Sequence, residues 1–177
     1  LKLLDDPEEV RASVIILAHG ALNRRLGDRW AKLAVLQAAI KGRHGVEDLR
    51  KRIARYASRV LRMGRDVSED LVIELLRMDA TNWKHILVAH GVVDAEADDP
   101  VPELFVRTLR SLDLSDVYRR VVETLPIRSS STMDERLRAA ANAINNAGTG
   151  VLPPVWRNVL AKMELSLPLL VLDEAHR

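Results

Sequence analysis

Apolar residues return every three or four positions along most of this chain, the spacing of one helix face, and depart from it in two places. Val14-Ile15-Ile16-Leu17-Ala18 is a continuous, largely β-branched run followed by His19-Gly20, which predicts a buried strand within 13–18 ending in a turn. The other departure is Leu167-Pro168-Leu169-Leu170-Val171-Leu172, which predicts a strand from Leu169 to Leu172. Everything between them has the helical period. Asp28 is a natural N-cap for a first helix whose Trp30, Leu33, Leu36 and Ile40 share a face. Leu49, Ile53, Tyr56 and Val60 mark a second, from about Val46 to Met63, with Gly64 as its stop. Ser68 caps a third through Leu71, Leu75 and Met78, and Thr81 or Asn82 starts a fourth through Trp83 and Leu87.

The stretch from Val92 to Pro102 is acidic and contains Pro100 and Pro102, the marks of an exposed loop. Helices resume at Phe105, Leu109 and Leu112, and again at Val117, Tyr118, Val121, Val122 and Leu125, closed by Pro126. Ser129-Ser130-Ser131 is a small polar turn, and Thr132 with Glu135 matches a capping box. Leu137, Ala140, Ala141 and Ile144 then form a stripe ended by Gly148 and Gly150. Pro153-Pro154 open a last helix with Val155, Trp156, Val159, Leu160 and Met163 on one face. No repeat of fixed period and no low-complexity segment occurs. Two strands this far apart cannot form a hairpin, and a parallel pair needs a crossover. A crossover of about 150 residues far exceeds a simple strand–helix–strand unit. The pattern therefore predicts a mainly α chain: a multi-helix insertion at 28–165, bracketed by strand segments at 1–27 and 166–177 of an incomplete α/β domain.

Composition narrows the class. With 177 residues, 47% apolar and 29% charged, the chain has the make-up of one folded domain with a real core. Aromatics are 3%, so aliphatic side chains must do most of the packing. The absence of cysteine excludes disulfides and thiolate metal sites. No apolar run reaches the roughly 18–20 residues of a membrane span and no signal peptide is visible, so no membrane partner and a cytoplasmic location are expected. The net charge of +2 hides an uneven distribution. Lys41, Arg43, Arg50, Lys51, Arg52, Arg55, Arg59, Arg62 and Arg65 cluster against only Glu47 and Asp48, whereas Asp94, Glu96, Asp98, Asp99 and Glu103 form an acidic stretch. That asymmetry predicts one face able to meet a polyanion.

The second strand runs directly into Asp173-Glu174-Ala175-His176-Arg177. A buried strand that delivers two carboxylates at its tip suits hydrolysis of a magnesium nucleotide. One carboxylate can hold Mg²⁺ through its water shell, and the other can polarise the water that attacks the γ-phosphate. This segment closely resembles motif II, the DEAH box, of superfamily-two helicases and translocases. Val14-Ile15-Ile16-Leu17-Ala18-His19-Gly20-Ala21-Leu22 is similar to a strand and turn, sometimes counted as motif Ib or Ic, that precede motif II in Swi/Snf-like members and approach nucleic acid. The resemblance covers roughly the two ends of the chain and says nothing specific about the helices between.

It implies a partial RecA-like first motor domain, ATP and Mg²⁺ as cofactors, and movement on nucleic acid as the activity. By the same resemblance Asp173 binds Mg²⁺-ATP, Glu174 is the catalytic base or orients the water, His176 couples nucleotide state to domain movement, and His19 lies near nucleic acid. The family's Gly-x-x-x-x-Gly-Lys-Ser/Thr loop, motif III and arginine fingers do not occur in these 177 residues, so they are expected not to turn over ATP alone. A different reading stands beside it: a helical interaction or regulatory module in which Asp-Glu-Ala-His is fortuitous.

Arg52, Arg55, Arg59 and Arg62 recur at i, i+3, i+7 and i+10, roughly opposite Leu49, Ile53, Tyr56 and Val60. Such a stripe can track a phosphate backbone, duplex DNA first, or simply keep an outer face solvated. The few aromatics count against stacking on single strands. His85 and His90 are five apart and do not share a helix face, and no zinc pattern accompanies them. Trp30, Trp83 and Trp156 sit on apolar stripes and read as core. Ser129 to Ser131 lacks the partners of a serine hydrolase.

Overall fold

A computed structural model describes residues 28–127 and 132–162, together with the backbone of 15–17 and 170–172. Eight α-helices occupy the described residues: α1 (Arg29–Ile40), α2 (Glu47–Val60), α3 (Glu69–Arg77), α4 (Trp83–Ala89), α5 (Glu103–Arg110), α6 (Ser115–Thr124), α7 (Met133–Asn145) and α8 (Leu152–Lys162). The strands are β1 (Ile15–Leu17) and β2 (Leu170–Leu172), which pair in parallel with Ile15 opposite Leu170 and Leu17 opposite Leu172. Both lie within the stretches that the sequence pattern predicts as strands. The chain is thus mainly helical, as expected.

The helices start where local chemistry supplies a cap. Asp28 Oδ1 accepts from the Trp30 and Ala31 N–H groups at 2.7 and 2.9 Å, and Ser68 Oγ accepts from Leu71 N–H at 3.2 Å. Three starts or stops differ from expectation. Thr132 makes no side-chain cap bond at α7, where the predicted capping box calls for one. The fourth helix is preceded by a 3₁₀ turn at Ala80–Asn82, which Asp79 rather than Thr81 or Asn82 caps. α2 ends at Val60 rather than Met63, and the residue that turns the chain is Arg62, in the left-handed region at φ 61°, not Gly64. Gly64 is needed for closeness instead: a Cβ there would lie 2.0 Å from Asp66 Oδ1 and 2.8 Å from Arg29 Nη1, the ion pair that crosses over it.

α1 is the centre of the helical body, and α3, α5, α6 and α8 all pack against it. The sequence pattern gives it one apolar face, but Trp30, Leu33, Ala34, Val35, Leu36, Ala39 and Ile40 are buried on every side. An all-round apolar helix is a central one. Gln37 is buried with them and is satisfied by donating to the Met78 carbonyl at 2.9 Å. Fully burying a leucine such as Leu33 or Leu36 contributes about 2 kcal/mol, and the core is built from many of them. Outside this layer α2 packs against α3 and α7, and α7 against α6 and α8. Trp83 is fully buried, with its indole N–H donating to Leu75 O at 2.8 Å, and Trp156 meets Phe105 with ring centroids 5.8 Å apart. Trp30 and Trp83 are core, as their stripes predict, and Trp156 packs partly buried against it. On α8 the expected face narrows: Val155 and Val159 are buried while Leu160 is exposed. The span from Val92 to Pro102 contains no helix or strand; its acidic residues are exposed, while Val92 and Val93 pack partly buried against the core and Val101 is buried.

Candidate functional site

Two groups of residues carry the chemistry anticipated from sequence. His19, Asp173, Glu174 and His176 lie outside the described residues. What is described is the strand backbone that leads to them: β1 ends at Leu17, two residues before His19, and β2 ends at Leu172, immediately before Asp173. Because the strands are parallel, their C-terminal ends lie at the same edge. That edge is where parallel α/β sheets bind ligands.

The basic stripe is fully described and divides. α2 forms because Glu47 and Asp48 stand in its first turn and Arg59 in its last, each favourable to the helix dipole. Its Leu49, Ile53, Tyr56 and Val60 are buried as one face. At 100° per residue Arg52 falls only about 40° from Tyr56, at the margin of that face. There its guanidinium turns inward and Nη1 donates to the Leu125 and Val122 carbonyls at 3.0 and 3.4 Å, satisfying the exposed end of α6. Arg52 therefore serves the fold as a clasp between α2 and the end of α6. Arg55, Arg59 and Arg62 are exposed. Arg59 Nη1 meets Asp134 Oδ1 at 2.9 Å, with both side chains 64% exposed. A pair so open to water holds its partners weakly.

Several other cations of the basic segment also serve the fold. Arg43 donates from Nε to Ala39 O at 2.9 Å and stacks its guanidinium 4.1 Å from the Tyr118 ring centroid, tying α1 to α6. Arg50 pairs with Glu47 at 3.0 Å, and Arg77 reaches the same carboxylate from α3. The hydrogen bonds from Arg77 and then Arg50 lower the Glu47 carboxyl below its ordinary range. Lys41 Nζ lies 2.5 Å from Asp79 Oδ2, and Arg110 Nη2 lies 2.8 Å from Asp79 Oδ1. Burial raises the Asp79 carboxyl, but the hydrogen bonds from Lys41, Thr81 and Arg110 outweigh it and hold the group well below the carboxylate range. These residues border a cleft of about 450 Å³ between α1 and α5. Lys41 and Arg110 there share Asp79, and Arg43 is held by the Ala39 carbonyl and the Tyr118 ring, which marks it as a packing seam.

Two cations not included in the predicted stripe belong with it. Lys51 is exposed one turn before Arg55. Arg138 is exposed on α7, where Asp134, Arg138, Ala141 and Asn145 share one flank at i, i+4, i+7 and i+11. Asp134 bonds Arg59, and Asn145 Nδ2 donates to Val60 O at 2.7 Å, so this flank faces α2 and Arg138 lies between two points of contact. The spacing to Arg55 reveals Lys51 from sequence. Arg138 has no such signal, because only packing brings α7 beside α2.

His90 Nε2 lies 3.2 Å from Glu74 Oε2, an exposed contact. No group of three or more potential metal ligands gathers among the described residues. None of the helices in the described residues is long and apolar enough to cross a membrane. No family model, curated protein or solved structure matches the chain.

Proposed function

We propose that this chain is part of the first, RecA-like motor domain of an ATP-dependent helicase or translocase, with a helical insertion placed before its nucleotide-hydrolysing motif. One observation carries the reading: a parallel strand pair, joined across about 150 residues, whose second strand leads straight into Asp173-Glu174-Ala175-His176. Carboxylates following the C-terminal end of a parallel strand supply hard oxygen donors, which suit Mg²⁺. In this reading Asp173 would hold Mg²⁺-ATP through the metal's water shell, and Glu174 would orient the attacking water and take its proton. His176 would link nucleotide state to movement between motor domains. The bound metal would neutralise charge on the phosphates. His19, following the neighbouring strand at the same edge, would lie on the nucleic-acid side.

The test uses a longer protein that joins this segment to a phosphate-binding loop and a second motor domain. Glu174→Gln should nearly abolish ATP hydrolysis while largely sparing nucleotide binding, because the base is removed and the shape kept. Asp173→Ala should weaken Mg²⁺-dependent nucleotide binding itself. Wild-type turnover by both variants would remove the assignment. The 177-residue chain alone should show no ATP hydrolysis.

A further inference from the structure

We propose that the seam between α2 and α7 is a track for the phosphate backbone of duplex DNA, with Lys51, Arg55, Arg59, Arg62 and Arg138 as its cations. This deepens the motor reading by giving the helical insertion a partner, and rests on that reading only for the choice of nucleic acid. The surface itself rests on geometry. Lys51, Arg55 and Arg59 are exposed along one side of α2, Arg62 follows just past its end, and Arg138 stands on the α7 flank that meets α2 at Arg59 and Val60. None of Lys51, Arg55, Arg62 and Arg138 is paired with an acid among the described residues. Asp48 at the N-terminal end of α2, Asp134 beside Arg59 and Glu135 one turn before Arg138 are exposed acids on these two helices, and Asp134 is held only by an open pair. A phosphate can therefore replace Asp134 as the partner of Arg59 at little cost.

The dimensions and side-chain types favour a duplex. From Lys51 to Val60 the helix rises about 14 Å, the axial length of about four base pairs at 3.4 Å per phosphate on one strand. Exposed aromatic rings, which a single-strand platform needs for stacking, are missing from the seam: Tyr56 on α2 is buried. Five cations without base-reading partners would meet the backbone alone, so binding should ignore sequence.

The test is a titration of the 177-residue chain against a fluorescent duplex DNA of about 20 base pairs, from about 50 to 200 mM salt. A triple variant, Lys51→Gln, Arg55→Gln and Arg138→Gln, is compared with a control of equal charge change, Arg107→Gln, Arg119→Gln and Arg157→Gln. All six residues are exposed and glutamine is a good helix former, so thermal unfolding should be cooperative in each. Arg55→Gln alone provides a milder version of the same comparison. The seam triple should flatten the log–log salt slope by about 2.7, or about 0.9 for each phosphate no longer neutralised, and the single variant by about 0.9. The control triple should leave the slope near wild type. A second duplex of unrelated sequence should bind equally well.

Equal weakening by both triples would show a diffuse charge effect and overturn the seam. So would failure of the wild-type chain to bind at about 50 mM salt, or equally tight binding of polyglutamate in place of the duplex. This failure is distinguishable from that of the motor reading, which depends on the effect of Glu174→Gln on ATP hydrolysis in the longer protein and not on the seam.

Discussion

Asp79 shows how a single residue can hold several elements. Its carboxylate receives Lys41 from just past α1, Arg110 from α5, and both the N–H and hydroxyl of Thr81 at 3.3 and 3.0 Å. Asp79→Asn keeps the size but removes the charge, and should cost about 2 kcal/mol near neutral pH, the scale of hydrogen bonds to a charged group. The pH dependence has a definite sign. The folded-state pKa is depressed from its ordinary value of 3.8, so the stabilisation is present above that value and fades as pH falls below it. Wild type and variant melting temperatures, compared from about pH 6 down to about pH 2, should therefore converge on the acid side. A constant gap across the range would remove the charge from the explanation. Lys32 contrasts with it. Burial first, then Arg62, lowers the pKa of its ammonium, and Asp28 only partly offsets them. The caps Asp28 and Ser68 are legible from sequence because each acts on N–H groups within three residues. The role of Asp79 is not, since its partners arrive from as far as 38 residues away.

At the level of elements, periodicity locates every helix but does not say how much of each is covered. α1 carries an apolar face in any reading of its spacing, yet its burial on all sides depends on α3, α5, α6 and α8 closing around it. The same limit applies to α2. Four arginines at near-helical spacing look alike in sequence, but Arg52, at the edge of the buried face, is taken up by the carbonyl end of α6. That distinction is measurable. Arg52→Met should lower stability by about 1–2 kcal/mol, because it takes a charged donor from the Leu125 and Val122 carbonyls while the aliphatic packing is kept. It should leave the salt slope of duplex binding close to wild type. Arg55→Gln should do the reverse, flattening the slope with little change in stability. If Arg52→Met flattened the slope as much as Arg55→Gln, the clasp would have to be counted among the binding residues after all.

For the molecule as a whole, the question is how strands about 150 residues apart can pair. Closing a flexible loop of that length costs about 2 kcal/mol more than closing one of ten residues, and a two-strand pair of this size offers little against it. The helical body reduces the problem by folding. α1, which opens it, and α8, which closes it, pack against each other, so the intervening chain is already compact when the strands pair. Among the described residues, the buried side chains run from Trp30 to Val159 and form one cluster. A chain cut to residues 28–162 should therefore keep its helical circular dichroism and unfold cooperatively, with a midpoint within about 5 °C of the 177-residue chain. Strand pairing would then be a consequence of the insertion's fold and not a support for it. Loss of cooperative unfolding in the 28–162 chain would instead make the strand segments part of the core. The insertion could not then be a module set between two strands, and the long crossover would need another explanation.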